Sequence, residues 1–283
     1  MNARAAIFLL AVACAPAVAL PLSPSPVRFA PGTIDTDADE YGPAFTPDGK
    51  TVYFTRRVNR KGVENILVSE LRNGRWSEPR TAEFSGEGQD KEPYLSPDGR
   101  RLFFASTRGG ERRHAAYDLW YVERKGASWS EPRKLDAPVS SAAYDNYPAV
   151  STNGTLYFGS ERPGGKGGID LYRARLVDGR YAAPENLGDA INTRAVEADP
   201  YIAPDESFLI FCSTRPGGHG DGDLYISYRN GDSWTAPVNL GATINAAEFD
   251  YTPIVSPDRK RFYWSRGWGE IYELPAAALP LRK

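Results

Sequence analysis

A turn signal that recurs five times constrains the fold of this chain more than any other feature. Proline presets φ at the second position of a turn, and Asp or Asn followed by Gly favours the tight reversal of a β-hairpin. Successive copies begin 50, 55, 52 and 53 residues apart. The five copies are Thr46-Pro47-Asp48-Gly49, Ser96-Pro97-Asp98-Gly99, Ser151-Thr152-Asn153-Gly154, Ala203-Pro204-Asp205-Glu206 and Ser256-Pro257-Asp258-Arg259.

Each turn signal sits inside a set of four predicted strands. A short apolar strand precedes the turn, and an aromatic or β-branched strand typical of burial on both faces follows it. A Gly-rich loop leads to a third strand, and a fourth begins at an aromatic residue three positions before a proline. Proline is tolerated best at a sheet edge, so the fourth strand is predicted to be outermost. Four antiparallel strands in about 50 residues make one propeller blade.

The fifth copy is too short for a fourth strand, because only residues 256–283 follow its turn signal. The segment Val27-Arg28-Phe29-Ala30-Pro31, followed by Ile34, imitates the missing strand at the other end of the chain. Closing the ring in this way hides two sheet edges. The sequence therefore predicts an all-β, single five-bladed propeller over residues 26–283. Its blades span roughly 40–89, 90–144, 145–196, 197–249 and 250–283, the last joined by strand 26–34.

The order of motifs within a blade resembles a known family. Ser96-Pro97-Asp98-Gly99, Ser106-Thr107-Arg108 and Asp118-Leu119-Trp120 follow one another in blade two, and blade four repeats the pattern with Arg215-Pro216-Gly217-Gly218 and Asp223-Leu224-Tyr225. This order resembles the TolB-type, WD40-like propeller repeats of bacterial envelope proteins. The resemblance implies an envelope protein that acts mostly through protein contacts or as a scaffold. TolB itself is similar to a six-bladed ring with an extra N-terminal domain, and this chain shows neither.

The N-terminus has the pattern of an export signal. Arg4 precedes an apolar stretch, and Ala17-Val18-Ala19 forms a small-x-small cleavage site, so we expect residues 1–19 to be removed and 20–25 to be a linker. A permissive lipobox ending at Cys14 leaves open a lipoprotein signal and a lipid anchor. We expect a periplasmic or extracellular protein with no transmembrane segment after processing. Cleavage after Ala19 leaves only Cys212, whose apolar setting indicates a buried hydrophobic residue.

Acids and arginines recur with the repeats and predict a charge ring. An acid lies six residues before each turn signal, a proline three before it, and an arginine just after the second strand. Antiparallel pairing brings the acid and the arginine to the same face, where ion pairs would offset repulsion among five carboxylates. Repetition in every blade favours a structural role. The predicted acids are Glu40, Asp90, Asp145, Glu197 and Asp250, and the arginines are Arg57 (or Arg56), Arg108, Arg162, Arg215 and Arg266.

A second interpretation makes the same mouth a carbohydrate site. Two carboxyl groups at a suitable separation can hydrolyse a glycoside, and Tyr41, Tyr147 and Tyr251 could stack on sugar rings. Against this, every acid of the predicted ring has a prospective arginine partner, and none departs from the pattern as a proton donor should.

The loops between the second and third strands differ among blades and hold the other candidate contact residues. His114 and His219 lie in different blades, so a shared metal site is not expected. Asp221 and Asp223 offer few oxygens and lack the spacing of a Ca²⁺ loop. We therefore predict no metal and no cofactor. Trp268, between Gly267 and Gly269, is the best single candidate for an exposed contact residue.

Charge and motifs narrow the functions. The chain has 34 Lys and Arg against 36 Asp and Glu. Because this net charge is close to zero, it produces no positive electrostatic field to attract a polyanion, and nucleic-acid binding is not expected. We expect an exported, non-enzymatic propeller whose partner is another envelope protein. The alternative left open is a carbohydrate-binding or glycoside-cleaving propeller that uses carboxylates at the channel mouth.

Overall fold

The fold is a ring of five small antiparallel sheets, as the sequence predicts. The structure, a computed structural model, describes residues 24–58, 62–109 and 117–281. The predicted export signal, Cys14 and His114 lie outside the described residues. None of the described residues forms a helix that is long and apolar enough to span a membrane.

Each blade has an innermost strand that begins the sheet and three further strands outside it. The innermost strands are Asp39–Phe45, Asp90–Leu95, Asp145–Val150, Glu197–Ile202 and Asp250–Val255. The second strands are Thr51–Arg57, Arg101–Ser106, Leu156–Ser160, Phe208–Ser213 and Arg261–Arg266. The third strands are Glu64–Arg72, Asp118–Lys125, Asp170–Ala174 with Leu176–Val177, Asp223–Asn230 and Glu270–Pro275, which a 3₁₀ turn at Ala276–Ala278 follows.

The outer strand of the first four blades is broken into two short pieces. A proline stands between the pieces, and since it has no N–H it cannot continue the hydrogen-bond ladder. The outer position of a blade is where such a break costs least. The pairs of pieces are Arg75–Trp76 and Arg80–Thr81, Ser128–Trp129 and Arg133–Lys134, Arg180–Tyr181 and Glu185–Asn186, and Ser233–Trp234 and Val238–Asn239.

The N-terminal strand Val27–Arg28 completes blade five. It pairs antiparallel with the third strand of that blade, with Val27 opposite Glu273 and Arg28 opposite Tyr272. Phe29 then packs edge-on against Tyr263 of blade five and Trp76 of blade one, with ring centroids 5.1 and 5.6 Å apart. The strand therefore closes the last sheet and joins it to the first.

The hydrophobic core lies between neighbouring sheets. The second strands supply most of the fully buried large side chains, which matches their aromatic sequences. The innermost strands contact one another in chain order, and the first also contacts the last, so they surround a central axis. All five begin at the same end of this axis, and that end carries the candidate site.

Candidate functional site

The five acids predicted from the repeats form a ring of buried ion pairs, which we call the paired ring. Each acid lies at the start of an innermost strand, and its side chain has no exposed surface. Each is within ion-pair distance of one arginine from the second strand of its own blade. The pairs are Glu40–Arg56 at 2.7 Å, Asp90–Arg108 at 2.9 Å, Asp145–Arg162 at 2.9 Å, Glu197–Arg215 at 3.3 Å and Asp250–Arg266 at 2.8 Å.

The partner of Glu40 is Arg56, so the choice of Arg57 as the ring arginine was wrong. In blade one Glu40 lies directly opposite Arg56 in the strand pairing, whereas Arg57 lies opposite Asp39. Side chains alternate between the faces of a strand, so adjacent arginines point to different sides. Arg57 instead contacts Asp39 at 3.0 Å and Glu64 at 3.2 Å, and it belongs to the central site described below.

The paired ring fastens each blade to the segment that enters it. In blade two, Asp90 accepts hydrogen bonds from the Gly86 backbone N–H and the Ser85 hydroxyl, and Arg108 donates to the Phe84 carbonyl. The other blades repeat this arrangement. In each, the guanidinium also lies within 6 Å of an aromatic ring of the second strand.

In the paired ring, burial shifts the pKa values of Glu40 and Asp250 in one direction, and the neighbouring donors and arginines shift them in the other. Burial raises the pKa of Glu40, while hydrogen bonds from Thr36 and the charge of Arg56 lower it. The same balance holds for Asp250, where burial raises the pKa against the Ala246 N–H and Arg266. With every acid engaged by donors within the fold, the paired ring offers no open coordination to a ligand.

A second ring lies two residues further along each innermost strand, directly before the repeated proline. We call these five residues the central ring: Gly42, Glu92, Tyr147, Asp199 and Thr252. Each has positive φ, between 47° and 63°. The pairing register of each innermost strand shifts at this point, as in a β-bulge. All five line one small void of about 30 Å³, so they meet at the axis of the propeller.

The central ring stores backbone strain. A positive φ is accessible to Gly42 without penalty, but the other four side chains each cost of the order of 1 kcal/mol there. A Cβ at Gly42 would lie at an ordinary contact distance, 3.5 Å, from the Cα of Glu92, so the backbone conformation rather than lack of space favours glycine here. Because the positive φ and the register shift recur in all five blades, this conformation belongs to the repeated architecture, and it brings the five residues together at the axis.

Glu92 and Asp199 are the two acids of the central ring, and neither contacts an arginine. Their exposed fractions are 8% and 6%. Glu92 Oε2 and Asp199 Oδ1 are buried without a hydrogen-bond partner among the described residues. Burial raises the pKa of Glu92 to about 7, and burial together with the nearby Glu92 raises that of Asp199 well above its usual range. Both groups therefore hold protons more tightly than ordinary carboxylic acids do.

Lys91 is the cation nearest to Glu92. Its Nζ lies 3.6 Å from Glu92 Oε1, 3.2 Å from the Tyr144 hydroxyl and 4.3 Å from the centre of the Tyr117 ring. Burial opposes the charge on Lys91, but the surrounding carboxylates and phenols outweigh it and raise its pKa. Lys91 therefore stays cationic and partly counteracts the rise in the pKa of Glu92.

Glu64, at the start of a third strand, is held very differently. Its Oε1 accepts a hydrogen bond of 2.6 Å from the Tyr41 hydroxyl and one of 3.2 Å from Arg57. Its Oε2 accepts a hydrogen bond of 2.6 Å from the Tyr117 hydroxyl. Three hydrogen-bond donors, one of them a guanidinium, thus hold the Glu64 carboxyl group in place. The site combines one carboxyl group with an unpartnered oxygen, that of Glu92, and one whose two oxygens are both hydrogen-bonded.

These groups line a cavity of about 530 Å³ at the mouth of the channel, which we call the mouth cavity. Its walls include the rings of Tyr41, Tyr147, Phe249, Tyr251 and Trp268. Trp268 is 65% exposed at the rim, and Tyr147 and Tyr251 are half-buried inside. The opposite mouth has a cavity of about 140 Å³ lined by turn prolines, aliphatic side chains, serines, Arg259 and the rings of Phe45, Tyr94 and Tyr201, without a carboxylate. Of these two cavities, only the mouth cavity is lined by acids.

The remaining predicted residues lie around the rim. His219 and Asp221 are exposed, whereas Asp223 is buried and accepts hydrogen bonds from the backbone of His219 and Gly220 and from the Asn239 side chain. With its oxygens engaged in this way, Asp223 fixes its own loop. Within residues 24–58, 62–109 and 117–281, no group of three or more His, Cys, Asp or Glu side chains is arranged to hold a metal ion.

Sequence reasoning missed the two central acids, Lys91 and Glu64. A signal for the acids was present: the residue before the repeated proline changes chemistry from blade to blade, while the proline itself recurs in all five copies. The sequence-based hypothesis of a carbohydrate site considered only the repeated acids, and the structure pairs each of these with an arginine. Lys91 and Glu64 have no comparable signal, because their surroundings arise from packing between blades: Glu64 contacts Tyr117 of blade two, and Lys91 contacts Tyr144 and Tyr147 at the entry to blade three.

Comparisons with known proteins support the fold. No family model and no curated protein matches the sequence. An α-L-arabinofuranosidase from Lactobacillus brevis is similar in structure, with a TM-score of 0.56 and 16% identity over 84% of this chain and 90% of that chain. A protein of unknown function from Dyadobacter fermentans has a TM-score of 0.52 and 16% identity over 91% and 86%. Hydrazine synthase of Kuenenia stuttgartiensis has a TM-score of 0.54 and 15% identity over 86% of this chain and 38% of that chain.

Proposed function

We propose that the mouth cavity binds carbohydrate and cleaves a glycosidic bond with Glu92 as the proton donor. The observation that carries this proposal is the pair of buried central acids with unpartnered oxygens beside an aromatic-lined cavity of about 530 Å³. An arabinofuranosidase among the structural neighbours is consistent with it, although at 16% identity that likeness speaks for the fold alone.

The proposed reaction divides two roles between Glu92 and Glu64. Glu92, with a pKa of about 7, keeps its proton near neutral pH and gives it to the glycosidic oxygen as the bond to the anomeric carbon breaks. A water molecule adds to the anomeric carbon and loses a proton to the Glu64 carboxylate. The products are two sugars with free hydroxyl groups, and proton exchange with water restores both carboxyl groups.

The aromatic side chains supply binding rather than chemistry. Three rings form a row, Phe249 to Tyr251 to Tyr41, with successive ring centroids 5.8 and 5.9 Å apart. At its inner end the Tyr41 hydroxyl donates a hydrogen bond to Glu64. Such a row offers apolar surface to sugar faces and phenol groups to sugar hydroxyls. It leads from the rim of the mouth cavity to the acids at its floor.

A protein-binding role in the cell envelope is the second candidate. The observation in its favour is Trp268, whose 65% exposed ring at the rim is typical of a contact residue. The resemblance to TolB-type repeats and the export signal support the same setting, in which the chain is a periplasmic or extracellular scaffold with another envelope protein as partner. In that case the central acids would have no role in binding.

A hydrolysis assay separates the two candidates. Purified protein is incubated with a panel of polysaccharides, and new reducing ends are measured for wild type, Glu92→Gln, Glu64→Gln and the exposed control Asp232→Asn. We expect activity in wild type and the control, and a loss of at least 100-fold in the two site variants, assayed below their unfolding temperatures so that each is folded. Equal activity in folded Glu92→Gln would contradict the assigned proton donor. No hydrolysis or binding of any polysaccharide, with an envelope protein retained through Trp268, would favour the scaffold.

A further inference from the structure

Three chain segments meet at the rim of the mouth cavity beside Phe249. The Gly267 N–H donates to the Phe249 carbonyl at 2.9 Å, and the Asp250 N–H donates to the Gly222 carbonyl at 2.8 Å. Asp221, Glu248 and Trp268 are each one residue from this junction along the chain. Hydrogen bonding of the backbone therefore gathers two carboxylates and an indole at one edge of the cavity.

Glycines make this approach possible. A Cβ on Gly222 would lie 2.4 Å from the ring of Phe249, and one on Gly220 would lie 2.2 Å from the Ala246 carbonyl oxygen. The loop of blade four thus packs directly against the segment that enters blade five. The positions of Asp221 and Glu248 are fixed by this contact.

Among the described residues that line it, the mouth cavity has more acidic than basic side chains. The two cations of this described lining, Arg57 and Lys91, are already engaged with Asp39, Glu64 and Glu92. Asp221 and Glu248 are exposed, and neither forms an ion pair with a residue in the described part of the chain. At the floor, the unpartnered oxygens of Glu92 and Asp199 add acceptor groups that no donor of the described fold satisfies.

We infer that this rim is a subsite for the ammonium group of an amino sugar, an inference that rests on the proposed carbohydrate-binding function and names its substrate class. Carboxylates bind an ammonium group through charge-assisted hydrogen bonds, and an indole face attracts a cation. Asp221 and Glu248 supply the first interaction and Trp268 the second. Acidic sugars are disfavoured by repulsion from the same carboxylates.

Binding measured by titration calorimetry at one mildly acidic pH tests the subsite. The probes are a tetramer of glucosamine, the same tetramer fully N-acetylated, and a tetramer of galacturonic acid. The proteins are wild type, the double variant Asp221→Asn with Glu248→Gln, Trp268→Ala, and the exposed control Asp232→Asn.

We expect wild type to bind the glucosamine tetramer at least tenfold more tightly than the N-acetylated one, with no binding of the acidic tetramer. The double variant should lose this preference and Asp232→Asn should keep it.

The outcomes separate the subsite from the function on which it rests. Equal affinity for the cationic and neutral tetramers, unchanged in the double variant, would overturn the ammonium subsite while the carbohydrate site stands. Tighter binding of the acidic tetramer would also overturn it. If wild type binds none of the three probes, the subsite is overturned, and the polysaccharide panel above decides separately whether the proposed function also fails. Loss of preference in the control as well would point to general charge attraction and would contradict a local subsite.

Discussion

The paired ring and the central ring lie two residues apart on the same five strands, yet their chemistry is opposite. In the paired ring all five blades carry an acid, and each acid has a guanidinium and backbone N–H partners from its own blade and the segment that enters it. In the central ring the residue type changes from blade to blade, and its two acids have unpartnered oxygens. Repeated and satisfied groups hold the propeller together, whereas the unrepeated and unsatisfied groups are the ones available for a ligand.

Breaking one pair of the paired ring should have the largest effect on stability. Asp90→Ala leaves the guanidinium of Arg108, only 6% exposed, without its carboxylate. Loss of one partner of a buried pair typically costs about 3–5 kcal/mol of unfolding free energy. Urea unfolding followed by circular dichroism measures this change. The control is Glu70→Ala, which removes an exposed pair with Arg72 and should cost about 0–1 kcal/mol. Equal effects of the two variants would refute the structural role of the paired ring.

Variants of the two adjacent arginines of blade one should distinguish the structural role of the paired ring from the binding role of the central site. Arg56→Met leaves Glu40, which has no exposed side-chain surface, without its cation, and we expect a loss of about 2–4 kcal/mol. Arg57→Met removes a cation from Glu64 at the central site, where Tyr41 and Tyr117 still donate. We expect a smaller loss of stability but a loss of carbohydrate binding. A larger loss of stability in Arg57→Met would mean that the pairing was assigned to the wrong arginine.

The central acids should make stability fall as the pH rises. An acid whose pKa is higher in the folded state binds its proton more tightly there, so the folded state gains stability at low pH and loses it as the proton leaves. For Glu92 the window runs from its ordinary pKa of 4.5 to about 7. We expect wild type to lose roughly 1–3 kcal/mol across this window relative to Glu92→Gln. Unfolding curves at several pH values measure the difference, and parallel pH profiles for the two proteins would argue against a buried, protonated Glu92.

Strain in the central ring should be releasable without loss of the fold. Asp199→Gly removes a buried carboxyl group and relieves a residue with φ of 50°. We expect a gain of about 1 kcal/mol in unfolding free energy, since glycine adopts this conformation freely. The matched control is Ala198→Gly, the preceding residue on the same strand, which has no positive φ to relieve and should be destabilised. A clear loss of stability in Asp199→Gly would show that the side chain is structural.

The sequence was sufficient to predict the propeller because its information is periodic. Five turn signals and the short fifth copy determine blade number and predict closure by an N-terminal strand, which the pairing of Val27–Arg28 with the third strand of blade five confirms. The paired ring was also predictable, apart from Arg57, where the choice between adjacent residues depends on the exact strand register. A difference of one residue in register exchanges the two faces of a strand.

The central site could not be predicted because it depends on a conformation and on distant packing. The residue types before each proline do not indicate a positive φ. This backbone conformation is what brings Glu92 and Asp199 to the axis. The environment of Glu64 is assembled from Tyr41 of its own blade and Tyr117 of the next. Tyr147 and Tyr251 were predicted correctly as residues near the channel mouth, but without the acids they accompany.

A site-resolved titration of the Glu92 carboxyl carbon by NMR, with Glu92→Gln used for assignment, tests the separation of the two rings most directly. We predict a midpoint near 7, because burial and the nearby Glu64 raise the pKa of Glu92 more than Lys91 lowers it. A midpoint at the ordinary value of about 4.5 would show that Glu92 is hydrated or fully paired, and would contradict its role as the proton donor of a carbohydrate site.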